Sequence, residues 1–264
     1  MDLPQHDIPD TPAQRRHDRA RLLRAFNLSL AAVLLVVVVF FAQGGFAFRA
    51  FAVAPREWPG LIGVLTAPLL HGSPTHLAMN SIALLMLGTL AGSVSPRATL
   101  RALPLLWLGS GLGAWALGEV GERHLGASGV THGLAFMIFV LGLLRRDRAA
   151  IAAGMLAFLF YGGMLLSVLP QEPGVSWQSH LGGGLAGALA AMLFRRVDPL
   201  PPRRKYSWEL EEEAEAELRA QEAAMLEPQR PDDVPVLWRR DETHGNTGTV
   251  LPFRRPVGRD TQGP

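Results

Sequence analysis

The chain has 264 residues, of which 48% are hydrophobic and 18% charged, with a formal net charge of +2 and no cysteine. The absence of cysteine excludes a disulfide framework and a thiolate metal site. The charges are concentrated at the two ends, whereas residues 26–194 carry few, a distribution that argues against a soluble domain. The arginines flank apolar runs, as membrane topology signals do, so the basic balance does not indicate nucleic-acid binding.

The first apolar segment, residues 25–48, follows a polar tail that carries several arginines. At about 20 residues, such a run is long enough to cross the hydrocarbon core of a bilayer. A cleaved signal peptide is the alternative, because Ala52, Val53 and Ala54 resemble a small-residue cleavage site. The run is longer than the ~7–15 residues of a typical signal sequence, which favours an uncleaved helix.

Five further apolar segments follow, separated by turn residues and short charged clusters. They cover residues 76–94, 102–119, 126–144, 149–168 and 178–194. If the N-terminus is cytoplasmic, the arginine-rich connections all fall on the cytoplasmic side, as the positive-inside rule requires. These arginines are Arg97, Arg101, Arg145, Arg146, Arg148, Arg195 and Arg196. The sequence therefore predicts an all-α integral membrane bundle of six transmembrane helices.

The predicted organisation has three parts: a cytoplasmic tail at 1–25, the membrane domain at 26–196 and a second cytoplasmic tail at 197–264. The outside connection 49–70 has a mixed apolar composition that suits a segment lying in the membrane interface. Within the C-terminal tail, residues 207–227 are rich in helix formers and predict a surface helix, with disorder after it. The acidic stretch of this helix can dock a cytoplasmic partner or rest on the headgroups, and an idle solvated tail is the alternative.

Polar residues inside apolar segments are costly, and they therefore mark candidate functional sites. Gly126, Ala127, Ser128 and Gly129 open the fourth segment. A serine at a helix N-terminus has backbone N–H groups beside it that can hold a developing oxyanion. The alternative is that these small residues serve only the packing of helices.

A second polar cluster opens the sixth segment, where Ser179 and His180 precede a run of glycines. Gly183 and Gly187 form a GxxxG face that allows another helix to approach closely. Such an approach is required if a serine and a histidine from different helices are to meet. The alternative is a histidine at the membrane interface with its polar edge in water.

A third cluster, His71, His76 and Asn80, leads into the second segment. His76 and Asn80 are four residues apart and therefore share one face of a helix, and both can donate hydrogen bonds to an oxyanion. His71 and His76 can alternatively bind a metal, but their spacing across Pro74 is poor and no carboxylate or cysteine joins them. Neither a metal nor any other cofactor is therefore predicted.

These motifs, HxxxxHxxxN at 71–80, GASG at 126–129 and HLGGGLAG at 180–187, together resemble the rhomboid family of intramembrane serine proteases. The resemblance covers about residues 26–196 and leaves out the tails. It implies an intramembrane serine endopeptidase that cleaves transmembrane segments of membrane proteins near the outer leaflet. The implied partners are transmembrane protein substrates and the lipid bilayer, without nucleic acid, and the implied location is the bacterial inner membrane.

By this resemblance, Ser128 is the nucleophile and His180 its general base. His76, Asn80 and the backbone N–H of Ser128 are implied to form the oxyanion hole. Gly183 and Gly187 match the glycine face that lies beneath the histidine in the family, and Gly126, Gly129 and His71 support the site.

The sequence departs from the family pattern at two places. His132, four residues after Ser128, stands where the family often has an aromatic residue stacked on the catalytic histidine. It can stack on His180, compete for its proton or be an ordinary interior histidine. The outside connection also lacks the Trp-Arg pair of the family, because Pro59 follows Trp58.

Two other functions compete with proteolysis. The first is a catalytically inactive rhomboid-like protein that binds transmembrane helices, which the histidine at position 132 keeps open. The second is a small transporter or channel, which is disfavoured because no acidic residue lies in the interior of an apolar segment. His124, in a polar turn, is expected at the surface.

Overall fold

A computed structural model describes residues 12–170, 174–199 and 207–226 of the chain, and the regular elements of these residues are helical. The helices are α1 (Pro12–Ala42), α2 (Ile62–Thr66), α3 (Pro74–Val94), α4 (Pro96–Leu117), α5 (Ser128–Arg145), α6 (Arg148–Leu165), α7 (Trp177–Phe194) and α8 (Ser207–Leu226). The prediction of an all-α protein is confirmed, and each of the six apolar segments contains a helix. The predicted disorder after residue 227 lies outside the described residues.

Four of these helices are long and apolar enough to cross a membrane: α1, α3, α4 and α5. The part of α6 whose side chains the structure describes, Arg148–Gly163, is shorter than 18 residues. α7 has 18 residues, with a polar first turn and several glycines, and is not among the helices that meet both criteria. Length and composition therefore support four membrane crossings among the described residues, fewer than the six expected from the sequence.

α1 begins at Pro12, within the segment predicted as a polar tail, and continues without a break to Ala42. The arginine-bearing turns are helical because Ala, Arg, Leu and Gln are strong helix formers. An ion pair of 3.6 Å between Asp18 and Arg21, one turn apart, adds to this. The basic residues and the apolar residues of this region therefore belong to one continuous helix.

The starts of α3 and α4 are fixed by side chains that accept helix N–H groups. At α3, the Oγ of Ser73 accepts a hydrogen bond from the backbone N–H of His76 at 3.1 Å, and Pro74 occupies the first turn. At α4, the carboxylate of Asp198 accepts from the backbone N–H groups of Arg97 at 3.1 Å and Ala98 at 2.8 Å. Asp198 follows α7 in sequence, so this contact joins the end of α7 to the start of α4.

The core of the bundle surrounds α5, whose side chains are buried along most of its length. Leu87 of α3, Leu106 of α4 and Met137 of α5 are among the largest buried side chains, and each is at most 1% exposed. α7 packs against both α4 and α5, and its glycines allow the backbones to approach closely. A Cβ atom added to Gly183 would overlap the carbonyl group of Gly129, so this close approach requires glycine.

The connection between α1 and α3 consists of short 3-10 turns and the five-residue helix α2. Ala52, Val53 and Ala54 are buried within it, and Val53 exchanges backbone hydrogen bonds of 2.9 and 3.0 Å with His124. The expectation that His124 is a surface residue is therefore wrong: the pairing with Val53 buries it, and its side chain contacts Glu122 at 3.1 Å.

The chain divides into two compact units, Met1–Lys205 and Tyr206–Pro264. In the second unit, α8 agrees with the surface helix predicted for residues 207–227. Its described side chains are almost all exposed, and a pair four residues apart, Glu215 and Arg219, forms an ion pair of 2.8 Å. A helix that is polar on nearly every side depends on such pairs and on its intrinsic propensity.

Candidate active site

Ser128 and His180 meet at the N-terminal ends of two neighbouring helices. Ser128 is the first residue of α5, and His180 lies in the first turn of α7. The Oγ of Ser128 is 2.8 Å from the Nε2 of His180, which is the distance of a good hydrogen bond. The histidine is 5% exposed and the serine is half-buried, so the hydroxyl is the more accessible member of the pair.

The other ring nitrogen of His180 contacts Ser167, in the 3-10 turn Leu166–Val168 that follows α6. The Nδ1 of His180 is 3.1 Å from the backbone carbonyl oxygen of Ser167 and 3.0 Å from its Oγ. A carbonyl oxygen can only accept, so the proton of the neutral imidazole belongs on Nδ1. Nε2 is then free of its own proton and accepts one from the hydroxyl of Ser128.

His132 lies one helical turn after Ser128 and stacks on His180. The two ring centroids are 3.8 Å apart and the planes differ by 10°. The Nδ1–H of His132 donates to the backbone carbonyl of Ser128 at 2.7 Å, and its Nε2 lies 2.9 Å from the Oγ of Ser167. The sequence leaves three possibilities open for His132. The structure shows the first of them, in which its ring stacks on His180.

His76 and Asn80 converge on the loop that leads into Ser128. Gly126 in this loop has a φ of +112°, and a Cβ atom there would lie 2.5 Å from the ring of His76 and 3.4 Å from the Nδ2 of Asn80. Glycine is therefore required both by the backbone angle and by the two side chains beside it. Asn80 is 3% exposed, and among the described residues its Nδ2 has no hydrogen-bond partner. Such an orphan donor can serve an oxyanion that forms beside Ser128.

The backbone at the start of α5 adds further donors. The N–H of Thr131 donates to the carbonyl of Ala127 at 3.0 Å, and the N–H groups of Ser128, Gly129 and Val130 precede this helical hydrogen bond. Helix N-terminal N–H groups carry partial positive charge and point out of the helix. The N–H of Ser128 is thus one of the donors that no helical hydrogen bond occupies.

His71 lies before α3 and contacts His76 edge-on, with ring centroids 5.2 Å apart. Its backbone N–H and C=O are bound by the side chain of Gln43 at 2.9 and 2.8 Å. The ring is 1% exposed, and burial, with a smaller effect of His76, lowers the pKa of His71 to about 4. Among the described residues, no group of three or more His, Asp or Glu side chains is placed to hold a metal ion.

The glycines predicted to support the site lie at the contact of α5 and α7. Gly183 packs on the backbone of Gly129, and Gly187 packs on the backbone of Gly133 one turn further along. These two contacts bring the axes of the helices close enough for the side chains of Ser128 and His180 to meet.

Two serines of this region, Ser110 and Ser167, are not among the residues that the motifs single out. Ser167 contacts both histidines, and the hydroxyls of Ser110 and Ser179 share a hydrogen bond of 2.8 Å beside Gly129. The signal for Ser167 was present, because it is a polar residue near the end of an apolar segment. It lacks a neighbouring motif residue, and its partners are brought to it only by the packing of α5, α6 and α7.

Comparison with known proteins gives consistent matches. A family model described as the Rhomboid domain matches residues 59–197. The chain is 36% identical over 195 residues to uncharacterized proteins of Mycobacterium tuberculosis and Mycobacterium bovis, which covers 70% of this chain and 81% of each relative. An uncharacterized protein of Mycobacterium leprae is 36% identical over 141 residues, 50% of this chain and 56% of the relative.

Proposed function

The chain belongs to the rhomboid family and is an integral membrane protein, and from this premise we propose that it is an active intramembrane serine endopeptidase. Its substrates are transmembrane segments of membrane proteins, and Ser128 and His180 carry the reaction. The observation that carries the proposal is the hydrogen bond of 2.8 Å between the Oγ of Ser128 and the Nε2 of His180.

In the first step, the Oγ of Ser128 attacks the carbonyl carbon of the scissile peptide bond while the Nε2 of His180 takes the hydroxyl proton. The carbonyl oxygen becomes an oxyanion, which the backbone N–H of Ser128 and the side chains of His76 and Asn80 stabilise. The C–N bond then breaks, and the imidazolium of His180 gives its proton to the leaving amine.

In the second half of the reaction, water attacks the acyl ester on Ser128. His180 takes a proton from the water as the new C–O bond forms, and it returns this proton to the Oγ of Ser128 when the ester breaks. Both half-reactions need the same neutral histidine with Nε2 unprotonated. The contact of Nδ1 with the carbonyl of Ser167 supports this tautomer.

The proposal includes six membrane crossings, by α1 and α3 to α7, with both termini in the cytoplasm of a bacterium. α6 and α7 are not among the four helices that are long and apolar enough by themselves, but both pack against α5, and the polar side chains in the first turn of α7 are buried. The arginines at the ends of the helices set the orientation. In this orientation the starts of α5 and α7 lie near the outer leaflet, where water reaches Ser128.

The test is cleavage of single-pass membrane proteins by the purified protein in detergent or liposomes. Ser128→Ala and His180→Ala are each expected to abolish cleavage, because neither variant can form the activated hydroxyl. The melting temperature of each variant serves as the control for folding. Wild-type cleavage by either folded variant would contradict the proposal, and an inactive wild-type protein that binds transmembrane helices would favour the non-catalytic alternative.

A further inference from the structure

Ser167 occupies the position at which a third residue can orient the catalytic histidine. It lies in the turn Leu166–Val168 after α6, half-buried, and faces the edges of the stacked rings of His132 and His180. Its Oγ is 3.0 Å from the Nδ1 of His180 and 2.9 Å from the Nε2 of His132. One hydroxyl group therefore bridges the two imidazoles on the side away from Ser128.

The proton positions around this bridge follow from two backbone carbonyls. The carbonyl of Ser167 accepts at 3.1 Å from His180, which places a proton on the Nδ1 of that ring. The carbonyl of Ser128 accepts at 2.7 Å from His132, which places a proton on the Nδ1 of that ring as well. In a neutral ring the Nε2 of His132 is then an acceptor, and the hydroxyl of Ser167 can donate to it.

The result is a closed cycle in which each hydrogen bond has one donor and one acceptor. The hydroxyl of Ser128 donates to His180, His180 donates to Ser167, Ser167 donates to His132, and His132 donates to the backbone of Ser128. Reversing the tautomer of His180 would set its unprotonated Nδ1 against the carbonyl oxygen of Ser167. The cycle thus favours the only tautomer in which His180 can act as a base.

We propose that Ser167 is a positioning residue that, together with His132, holds the proton of His180 on Nδ1 and keeps Nε2 directed at Ser128. Among the described residues, no Asp or Glu forms a hydrogen bond or ion pair with His180, so neutral dipoles take the place of a carboxylate. This is physically reasonable because a buried carboxylate would be costly to desolvate. The inference rests on the proposed function and adds a residue to it.

The test compares Ser167→Ala with Ser167→Thr, which keeps the hydroxyl, in steady-state cleavage of a single-pass substrate. Ser167→Ala is expected to lower kcat about ten-fold with an unchanged KM, the size expected for one lost hydrogen bond of good strength. Ser167→Thr is expected to restore most of the rate. Ser93→Ala is the matched control, because the hydroxyl of Ser93 bonds only to its own helix, at the carbonyl of Leu90.

A second measurement reads the tautomer directly, since the 15N resonances of protonated and unprotonated ring nitrogens are well separated. In histidine-labelled protein, the signals of His180 are identified by their loss in His180→Ala. Wild type and Ser167→Thr are expected to show a protonated Nδ1 and an unprotonated Nε2. Ser167→Ala keeps the backbone carbonyl at position 167 but loses the hydroxyl that also accepts from Nδ1, so it is expected to show a larger share of the reversed tautomer.

Unchanged kcat and an unchanged tautomer in Ser167→Ala would overturn the inference. A rise in KM alone, or a Ser167→Thr variant as slow as Ser167→Ala, would also overturn it, because the hydroxyl would then not be the group that acts. These outcomes are separate from the proposed function, which fails if the wild-type protein does not cleave or if folded Ser128→Ala or His180→Ala variants still cleave.

Discussion

In the part of the chain that the structure describes, His180 is held by a stacked ring and by uncharged hydrogen-bond partners, without a carboxylate. The ring of His132 covers one of its faces at 3.8 Å, and the carbonyl of Ser167 binds its Nδ1. Such an arrangement fixes the direction of the imidazole without burying a negative charge, which would be expensive in a membrane. Phenylalanine at position 132 would keep an aromatic face for the stack but lose the hydrogen bonds of the present histidine to Ser128 and Ser167.

At the residue scale, a pH-dependent stability is expected from His71. Its pKa is about 4 in the folded protein, against an ordinary value of 6.5. Between these values the unfolded chain binds a proton that the folded protein does not, so stability is full above about pH 6.5 and falls as the pH is lowered towards 4. The melting temperature in detergent is therefore expected to fall over this range by more in wild type than in His71→Leu.

The comparison isolates His71 because His76, which faces it, and His124, whose pKa is also lowered by burial, are present in both proteins. Among the described residues, neither ring nitrogen of His71 has a hydrogen-bond partner, so an apolar replacement of similar size is expected to cost little at neutral pH. Parallel melting curves against pH for the two proteins would contradict the assignment.

The residues of the site differ in how far the sequence predicts them. Ser128, His180, His76 and Asn80 belong to short motifs at the starts of apolar segments, so their residue types and order carry information. Ser167 belongs to no motif, and its contacts with the two histidines arise from the turn that follows α6. The proton positions on the two histidines depend on the distances from their ring nitrogens to backbone carbonyls. A sequence pattern does not predict such distances.

At the scale of the elements, the contact of α5 and α7 decides whether the side chains of Ser128 and His180 meet. Gly129 and Gly183 bring the two backbones into direct contact, and the pair of Gly133 and Gly187 repeats this one turn further on. A helix contact of this kind relies on van der Waals packing, since lipid offers no hydrophobic drive to association. The distance between Ser128 and His180 therefore depends on glycines that take no part in the chemistry.

Gly183→Ala is expected to lower cleavage by about 100-fold, because its Cβ would overlap the carbonyl of Gly129 and force α7 away from α5. The matched control is Gly163→Ala in α6, where a Cβ atom meets nothing within 4 Å. Alanine at that helical position is expected to leave the rate unchanged and to raise stability slightly. Equal activities of the two variants in the same cleavage assay would show that the close approach is not required.

The helices themselves were largely predictable, since apolar length, proline at helix starts and arginine at the ends are local signals. The start of α1 was not, because its first turns are polar and read as a tail. The capping of α4 by Asp198 was also beyond reach, since the acceptor comes from about 100 residues later in the chain. Long-range caps depend on the packing of the bundle rather than on local sequence.

At the scale of the whole molecule, the chain consists of two compact units with different physical character. The first holds the apolar helices and the candidate site, and the second holds the charged helix α8. The two units divide after Lys205. In the sequence, the rise in charge density places the end of the apolar block at residue 197. The number of membrane crossings is harder to predict from hydropathy, because the first turn of α7, which contains His180, is polar.

Deletion of residues 207–264 is expected to leave kcat and KM for a purified single-pass substrate nearly unchanged, because every residue assigned to the reaction lies in the first unit. The same deletion in a Ser128→Ala protein is the control for contaminating proteases. A strong loss of cleavage by the shortened, folded protein would show that the second unit takes part in the reaction.

The central claim is that the hydroxyl of Ser128 is made nucleophilic by His180. The most direct measurement is reaction of the purified protein with a serine-reactive fluorophosphonate, followed by mass spectrometry of the labelled peptide. We expect one adduct, on Ser128, with labelling lost in Ser128→Ala and strongly slowed in His180→Ala. An unlabelled wild-type protein, or equal labelling rates of wild type and His180→Ala, would contradict the claim.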